Sequence, residues 1–171
     1  MSATESLGEI TRVQDRVDVR FERHYPRPVE TVWSALTEPA RLADWMGAAH
    51  VEPRQGGRIE IMTDGPFPMR GEVRVWDPPH VLEFFWSNAH APESVVRYEL
   101  QRAGNGTRML FSHQGIPYAS SALFSPGWHT YFAALGAMLD EKAVGPEPGD
   151  FRKMQAVYVD LYRLAGVALD P

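Results

Sequence analysis

One alternating strand followed at once by two short helices constrains this chain more than any other feature. In Arg16–Tyr25 (RVDVRFERHY), Val17, Val19, Phe21 and Arg23 fall on one face and Asp18, Arg20, Glu22 and His24 on the other. That is the period of an antiparallel strand with one covered face. Pro26 and Pro28 end the strand, and Pro28 suits the first turn of a helix. Val29, Val32, Trp33 and Leu36 then recur at i, i+3, i+4 and i+7, one helical stripe. Thr37-Glu38-Pro39 opens a second short helix, with Thr37 as the expected N-cap. Leu42, Trp45 and Met46 form its inner edge and Gly47 its stop.

The strand pattern then resumes. Gln55-Gly56-Gly57 reads as a turn into Arg58 to Thr63, and Asp64-Gly65-Pro66 breaks that strand. Met69 to Trp76 turns at Asp77-Pro78-Pro79-His80 into Val81 to Trp86. Ser94 to Arg102 and Thr107 to His113 pair around Ala103-Gly104-Asn105-Gly106, where the Asn-Gly step predicts a hairpin because both residues tolerate positive φ. Ser125-Pro126 reads as N-cap and first-turn proline of a long helix carrying Trp128, Phe132, Leu135 and Leu139, stopped by Gly145-Pro146 and Pro148-Gly149. A last helix from about Asp150 places Phe151, Met154, Tyr158, Leu161 and Ala165 at helical spacing and ends at Gly166. Residues 1–14 are polar and aperiodic, a flexible leader. Such a meander can wrap the long helix and leave a hollow between the two.

Composition excludes several functions. The 171 residues suit one domain with a sizeable core and a tail. There is no cysteine, hence no disulfide, thiolate metal site or cysteine nucleophile. No apolar run reaches the roughly 18 residues of a membrane span. The N-terminus lacks a basic start followed by an apolar core, so the expected compartment is the cytoplasm. A net charge of −5 with scattered arginines (Arg41, Arg54, Arg58, Arg70, Arg74) argues against nucleic acid as a partner. No G-x-S-x-G elbow or H-E-x-x-H pair occurs, and the dispersed histidines predict no metal and no cofactor. Gly104-Asn105-Gly106 sits between strands without a following helix and lysine, so it is a turn and not a phosphate loop. Glu60, Glu72 and Glu83 alternate outward as solvated carboxylates.

Four blocks in order carry a resemblance: P-x-E-T-V-W-x-A-L-T-E-P-x-x-L-x-x-W-M-G (Pro28 to Gly47), the Gly56-Gly57 turn, G-E-V-x-V-x-D-P-P-x-x-L-x-F-x-W (Gly71 to Trp86), and G-T-R-x-x-F-S-H-x-G (Gly106 to Gly115) with Gly127-Trp128 beyond. Over roughly Val17 to Lys142 the chain resembles the homologues of the activator of heat-shock protein 90 ATPase, within the START-like (SRPBCC) superfamily. The resemblance implies an α+β helix-grip fold, a curved antiparallel sheet wrapped around a long C-terminal helix and enclosing a cavity. The expected organisation is a leader at 1–14, a START-like domain at 15–142 and a one-helix extension at 143–171. Members of the superfamily include ligand binders, cyclases and a co-chaperone domain, so the fold leaves activity open.

Strand parity places Gly71, Val73 and Val75 on one face, with Leu82, Phe84 and Trp86, then Val96, Tyr98 and Leu100, then Met109, Phe111 and His113. With Trp45, Met46, Trp128 and Phe132, these residues either line an aromatic cavity for an apolar small molecule or fill a core at normal density. His113 and Tyr98 are the polar members, expected to orient a ligand, move a proton in a cyclase-like reaction, or serve the structure alone. Buried, they need partners. The leading expectation is a small-molecule binder. The alternatives are a polyketide cyclase/aromatase-like enzyme and a co-chaperone-like interaction module. The stripe of the last helix also makes a homodimer an expectation.

Overall fold

The computed structural model describes residues 7–63, 68–140 and 148–164. The expected breaks at Asp64-Gly65-Pro66 and Gly145-Pro146, and the helix end at Ala165 and Gly166, lie outside them. In chain order the elements are β1 (Glu9–Val13), β2 (Arg16–Tyr25), α1 (Val29–Thr37), α2 (Pro39–Trp45), β3 (Ala49–Val51), β4 (Arg58–Ile61), β5 (Met69–Asp77), β6 (Val81–Trp86), β7 (Ser94–Ala103), β8 (Gly106–Pro117), α3 (Ser121–Leu139) and α4 (Pro148–Tyr162). One curved, open antiparallel sheet runs β1-β2-β8-β7-β6-β5-β4-β3, with α3 against its inner face, so the expected helix-grip architecture is present.

The two-faced reading of β2 holds to the residue: Val17, Val19, Phe21, Arg23 and Tyr25 are all buried. The inner face continues through Leu82, Phe84, Trp86, Val96, Tyr98, Leu100, Met109, Phe111 and His113. The outer face carries paired charges, such as Arg97 with Glu83 at 2.9 Å and with Glu99 at 2.8 Å. β5 departs from simple parity. Its register shifts between Val73 and Val75, so Val73 stands opposite inward Phe84 while Val75 stands opposite Glu83 and Trp76 opposite Leu82. The extra residue of a β-bulge flips every later side chain. Trp76 thereby meets Trp33 of α1, ring centroids 5.2 Å apart, and Val75 leaves the inner set.

Other local expectations also shift. Glu9–Val13, inside the stretch expected to be a loose leader, pairs with β2 as an edge strand. Its side chains are mostly exposed, so main-chain bonding holds it and no hydrophobic alternation announces it. Thr37 is the last residue of α1, its hydroxyl donating to Trp33 O at 2.8 Å, and Glu38 takes the N-cap position of α2. Gly47 closes α2 because a Cβ there would lie 1.8 Å from the Met62 carbonyl oxygen. In the β7–β8 hairpin Ala103 pairs with Gly106, so the central pair is Gly104-Asn105. Only Gly104 of that pair has positive φ (+59°), as a turn with glycine at its first central position requires.

The largest shift is in α3. The helix starts at Ser121, and Pro126 lies inside it. A proline within a helix has no N–H to give the carbonyl four residues back, which here is that of Ala122. Gln155 of α4 supplies the missing donor, its Nε2 reaching Ala122 O at 3.1 Å in a buried setting. The α4 stripe is fully buried within the chain at Tyr158. Gly8 N–H donates to the Tyr158 hydroxyl at 2.7 Å, and that hydroxyl bonds His129 Nδ1 of α3 at 2.9 Å. Leu161, expected on the stripe, is 58% exposed, and Leu164 is buried instead. Gln155→Ala is expected to cost about 1–2 kcal/mol by orphaning the buried carbonyl. In a Pro126→Ala background, where the helix bond returns, that cost should shrink toward zero. A double-mutant cycle by urea unfolding checks this, and equal costs in both backgrounds would sink it.

Candidate functional site: an aromatic pocket at one end of the gripped helix

Across its middle the inner face is solid. Phe111 lies 4.5 Å from Trp128, Trp128 stacks on Phe132 at 5.5 Å, Tyr98 lies 5.1 Å from Phe111 and Trp86 5.4 Å from Trp128, all between ring centroids. Tilted and edge-on rings at such spacings are close-packed. Val73, Phe84, Val96, Tyr98, Met109, Phe111 and Phe132 are thus buried among their neighbours. Trp45 is buried too, its indole N–H donating to Ala35 O at 2.8 Å, with Met46 beside it in the chain and also buried. Burial pushes the Tyr98 phenol well above its ordinary range.

The open space sits at one end, where α3, the turn after β6, the end of β4 and the first turn of α4 converge. It measures about 130 Å³. Trp86, Phe124, Trp128, Tyr131 and Phe151 give aromatic walls, Leu123 and Gly127 complete them, and Thr63, Asn88 and His90 are the polar contributors. Of the residues picked from the sequence, Trp86 and Trp128 line it. Phe124 and Tyr131 stand four residues before and three after Trp128, on neighbouring helical positions. A helix start at Ser125-Pro126 leaves Phe124 outside the helix, and Tyr131 falls inside it but off the expected Trp128–Phe132–Leu135–Leu139 stripe. A larger groove of about 440 Å³ lies on the opposite face, but it is walled by Arg20, Glu22, Arg97 and Glu99, whose charges suit water.

His113 holds the walls of the pocket in register. It is fully buried, and an indole N–H can only donate, so Trp128 Nε1–H at 3.0 Å fixes His113 Nδ1 as the acceptor. The ring proton therefore sits on Nε2, which donates to Ser94 Oγ at 2.8 Å. Ser94 in turn reaches the carbonyls of Trp86 and Ala91, at 3.1 and 3.2 Å. This chain ties one tryptophan wall to the main chain of the other, and burial lowers the imidazole pKa to about 3. His113 has the partners its burial demanded, in two side chains. One polar atom in the wall is left over: the buried Trp86 Nε1–H has no hydrogen-bond partner among the described residues. Those residues contain no acidic or histidine cluster able to hold a metal, and no helix among them is long and apolar enough to cross a membrane.

Comparison with known proteins bears on this architecture. No curated protein matches the chain. Among solved structures it is similar to CalU16 from Micromonospora echinospora, at 22% identity and a TM-score of 0.72, covering 92% of this chain and 99% of that one. It is similar to EF2215 from Enterococcus faecalis, a conserved protein of unknown function, at 17% identity and a TM-score of 0.77, covering 91% and 90%. PFC0360w, an HSP90 activator from Plasmodium falciparum, follows at 19% identity and a TM-score of 0.61, covering 72% and 96%. At these identities the likeness is one of fold. The family model "Activator of Hsp90 ATPase homolog 1-like protein" matches residues 26–140, more than half of the chain and stopping short of α4. The chain belongs to the family of activator of Hsp90 ATPase homolog 1-like proteins.

Proposed function

We propose that this protein binds a single-ring aromatic molecule, or an apolar one of similar size, carrying one hydrogen-bond acceptor. The observation that carries this reading is the aromatic-walled space of about 130 Å³ bordered by a tryptophan whose buried N–H is unused. An engineered apolar cavity of roughly 150 Å³ accepts benzene, so the volume fits one ring better than a fused system. Ligand sites are mostly apolar with a few polar groups that orient. Asn88 and His90 offer polar groups at the rim, and the Trp86 Nε1–H, covered in the free protein, is the inner donor that the indole ring must shift to expose. The engaged nitrogens of His113 favour binding over proton transfer, because each would have to give up a buried partner to act on a substrate.

Acetophenone, toluene and 2-acetonaphthalene separate size from hydrogen bonding in a calorimetric titration. Acetophenone is expected to bind about tenfold more tightly than toluene, the worth of roughly one hydrogen bond, and 2-acetonaphthalene more weakly than either. Gly127→Leu should abolish all binding while leaving the fold intact. Gly127 has ordinary helical geometry, and a Cβ there meets only Phe151 Cε2 at 3.9 Å, so the longer side chain grows into the pocket. Equal binding by the Leu variant, or none by the wild type, would overturn the reading.

A further inference from the structure

We propose that Arg23 anchors a second binding site, for a small monocarboxylate, between β2, α3 and α4. It lies apart from the aromatic pocket and shares no lining residue with it. Arg23 occupies the inner face of β2 and is 4% exposed. One of its nitrogens, Nη1, donates to Glu22 O at 3.0 Å. Nε and Nη2 are buried and have no hydrogen-bond partner among the described residues, and none of the ion pairs among those residues involves Arg23. The Phe21 ring lies 5.0 Å from the guanidinium carbon. That contact softens the burial of the charge but satisfies neither N–H.

A charge inside a protein is ordinarily paired, and an unsatisfied buried group in a native fold points to a missing ion or ligand. The pattern of the free atoms says which kind. Nε–H and one N–H of Nη2 lie side by side along one edge of the guanidinium plane, pointing the same way. Their spacing matches the two oxygens of a carboxylate, the geometry of the bidentate arginine fork. One fixed positive charge suits a monoanion rather than a dianion. The neighbours agree. The Tyr158 hydroxyl accepts the Gly8 N–H and shares a hydrogen bond with His129 Nδ1. His129 is held down to about pKa 4, by burial first and then by the charge of Arg23, and the same charge acts on the Tyr158 phenol. Both groups lie within reach of the Arg23 charge. Because the free N–H groups are covered, the packing above them must open for a carboxylate to enter, and a slow, saturable response is expected.

The test uses the full chain at pH 7.5, titrated with sodium acetate against sodium chloride at equal ionic strength. The readouts are the Arg23 Nε–H and His129 ring NMR signals together with Tm. Acetate is expected to shift both signals saturably and raise Tm, with chloride doing neither. Arg23→Leu should melt higher than wild type in chloride, because an unpaired buried charge is replaced by packing, and should ignore acetate. Arg23→Lys keeps the charge without the fork and should bind acetate at least tenfold more weakly. If Arg23→Leu fails to fold, the wild-type titration and Arg23→Lys decide the matter. The proposal is overturned if acetate and chloride act alike on the wild type, if inorganic phosphate binds more tightly than acetate, or if Arg23→Leu melts lower than wild type. Ring-compound binding at the aromatic pocket should be unchanged in Arg23→Lys, so the two proposals fail separately.

Discussion

Trp128→Ala is expected to cost about 3–5 kcal/mol, the range for removing a large ring from a core, and to leave little of the native state in moderate urea. Trp128 is 2% exposed and sits at the crossing point of the aromatic set, touching Trp86, Phe111, Tyr131 and Phe132. Deleting it removes area from water-free contact and opens a space whose walls belong to both sheet and helix, so they cannot collapse together without moving α3. A second loss comes with it, because Nδ1 of His113 is left without its donor in a dry site. Trp128→Phe separates the two effects. It keeps most of the ring and drops the N–H, so its cost should be about 1–3 kcal/mol, that of an orphaned buried acceptor. Urea unfolding of both variants, with slopes compared to confirm a common unfolded state, gives the numbers. A cost below 2 kcal/mol for the alanine variant would mean that the aromatic cluster is loosely packed and that the middle of the inner face is not solid.

How much of this was legible in the sequence depends on how local the cause is. The faces of β2, β6, β7 and β8 could be read directly because parity along an unbroken strand is a local rule, and Val17 to Tyr25 and Leu82 to Trp86 obey it. Val75 could not. The bulge that turns it outward comes from pairing with β6, and nothing in its own neighbours signals it. The start of α3 was misplaced for a related reason. A Ser-Pro pair is a sound local signal for a helix beginning, yet here the carbonyl that Pro126 leaves free is satisfied from α4, more than thirty positions along the chain. That one displacement hid Phe124, and with it a wall of the pocket. The family blocks were legible because they are made of main-chain necessities, such as Gly47 against the Met62 carbonyl. The pocket is made of contacts between such blocks and α4, which lies beyond residues 26–140. Packing density was not legible either: the same list of aromatic residues describes the wall of a hollow and the filling of a core, and only ring-to-ring distances tell them apart.

His113 makes stability depend on pH in a window where carboxylates are still mostly silent. Its ordinary pKa is 6.5 and its folded value is about 3, set by burial. The unfolded chain therefore takes up a proton near pH 6.5 that the folded chain refuses until about pH 3. Stability carried by the neutral imidazole is fully present above pH 6.5, falls as pH drops through the window, and levels off once both states are protonated. A difference of that size corresponds to a loss on the order of 5 kcal/mol, a large share of the 5–15 kcal/mol of a typical domain. His129, folded value about 4, adds a second proton over much of the same range. The cleanest measurement is the slope of unfolding free energy between pH 6 and pH 5, above the ordinary carboxylate range. Wild type should lose close to two protons' worth of stability per pH unit. His113→Gln, whose amide can accept from Trp128 and donate to Ser94, should lose about one. If the slope is the same in both proteins, the His113 imidazole already carries its charge in the folded state. The Trp128–His113–Ser94 chain would then have its proton on the other nitrogen as well, leaving Trp128 Nε1 without an acceptor and the two tryptophan walls of the pocket unlinked.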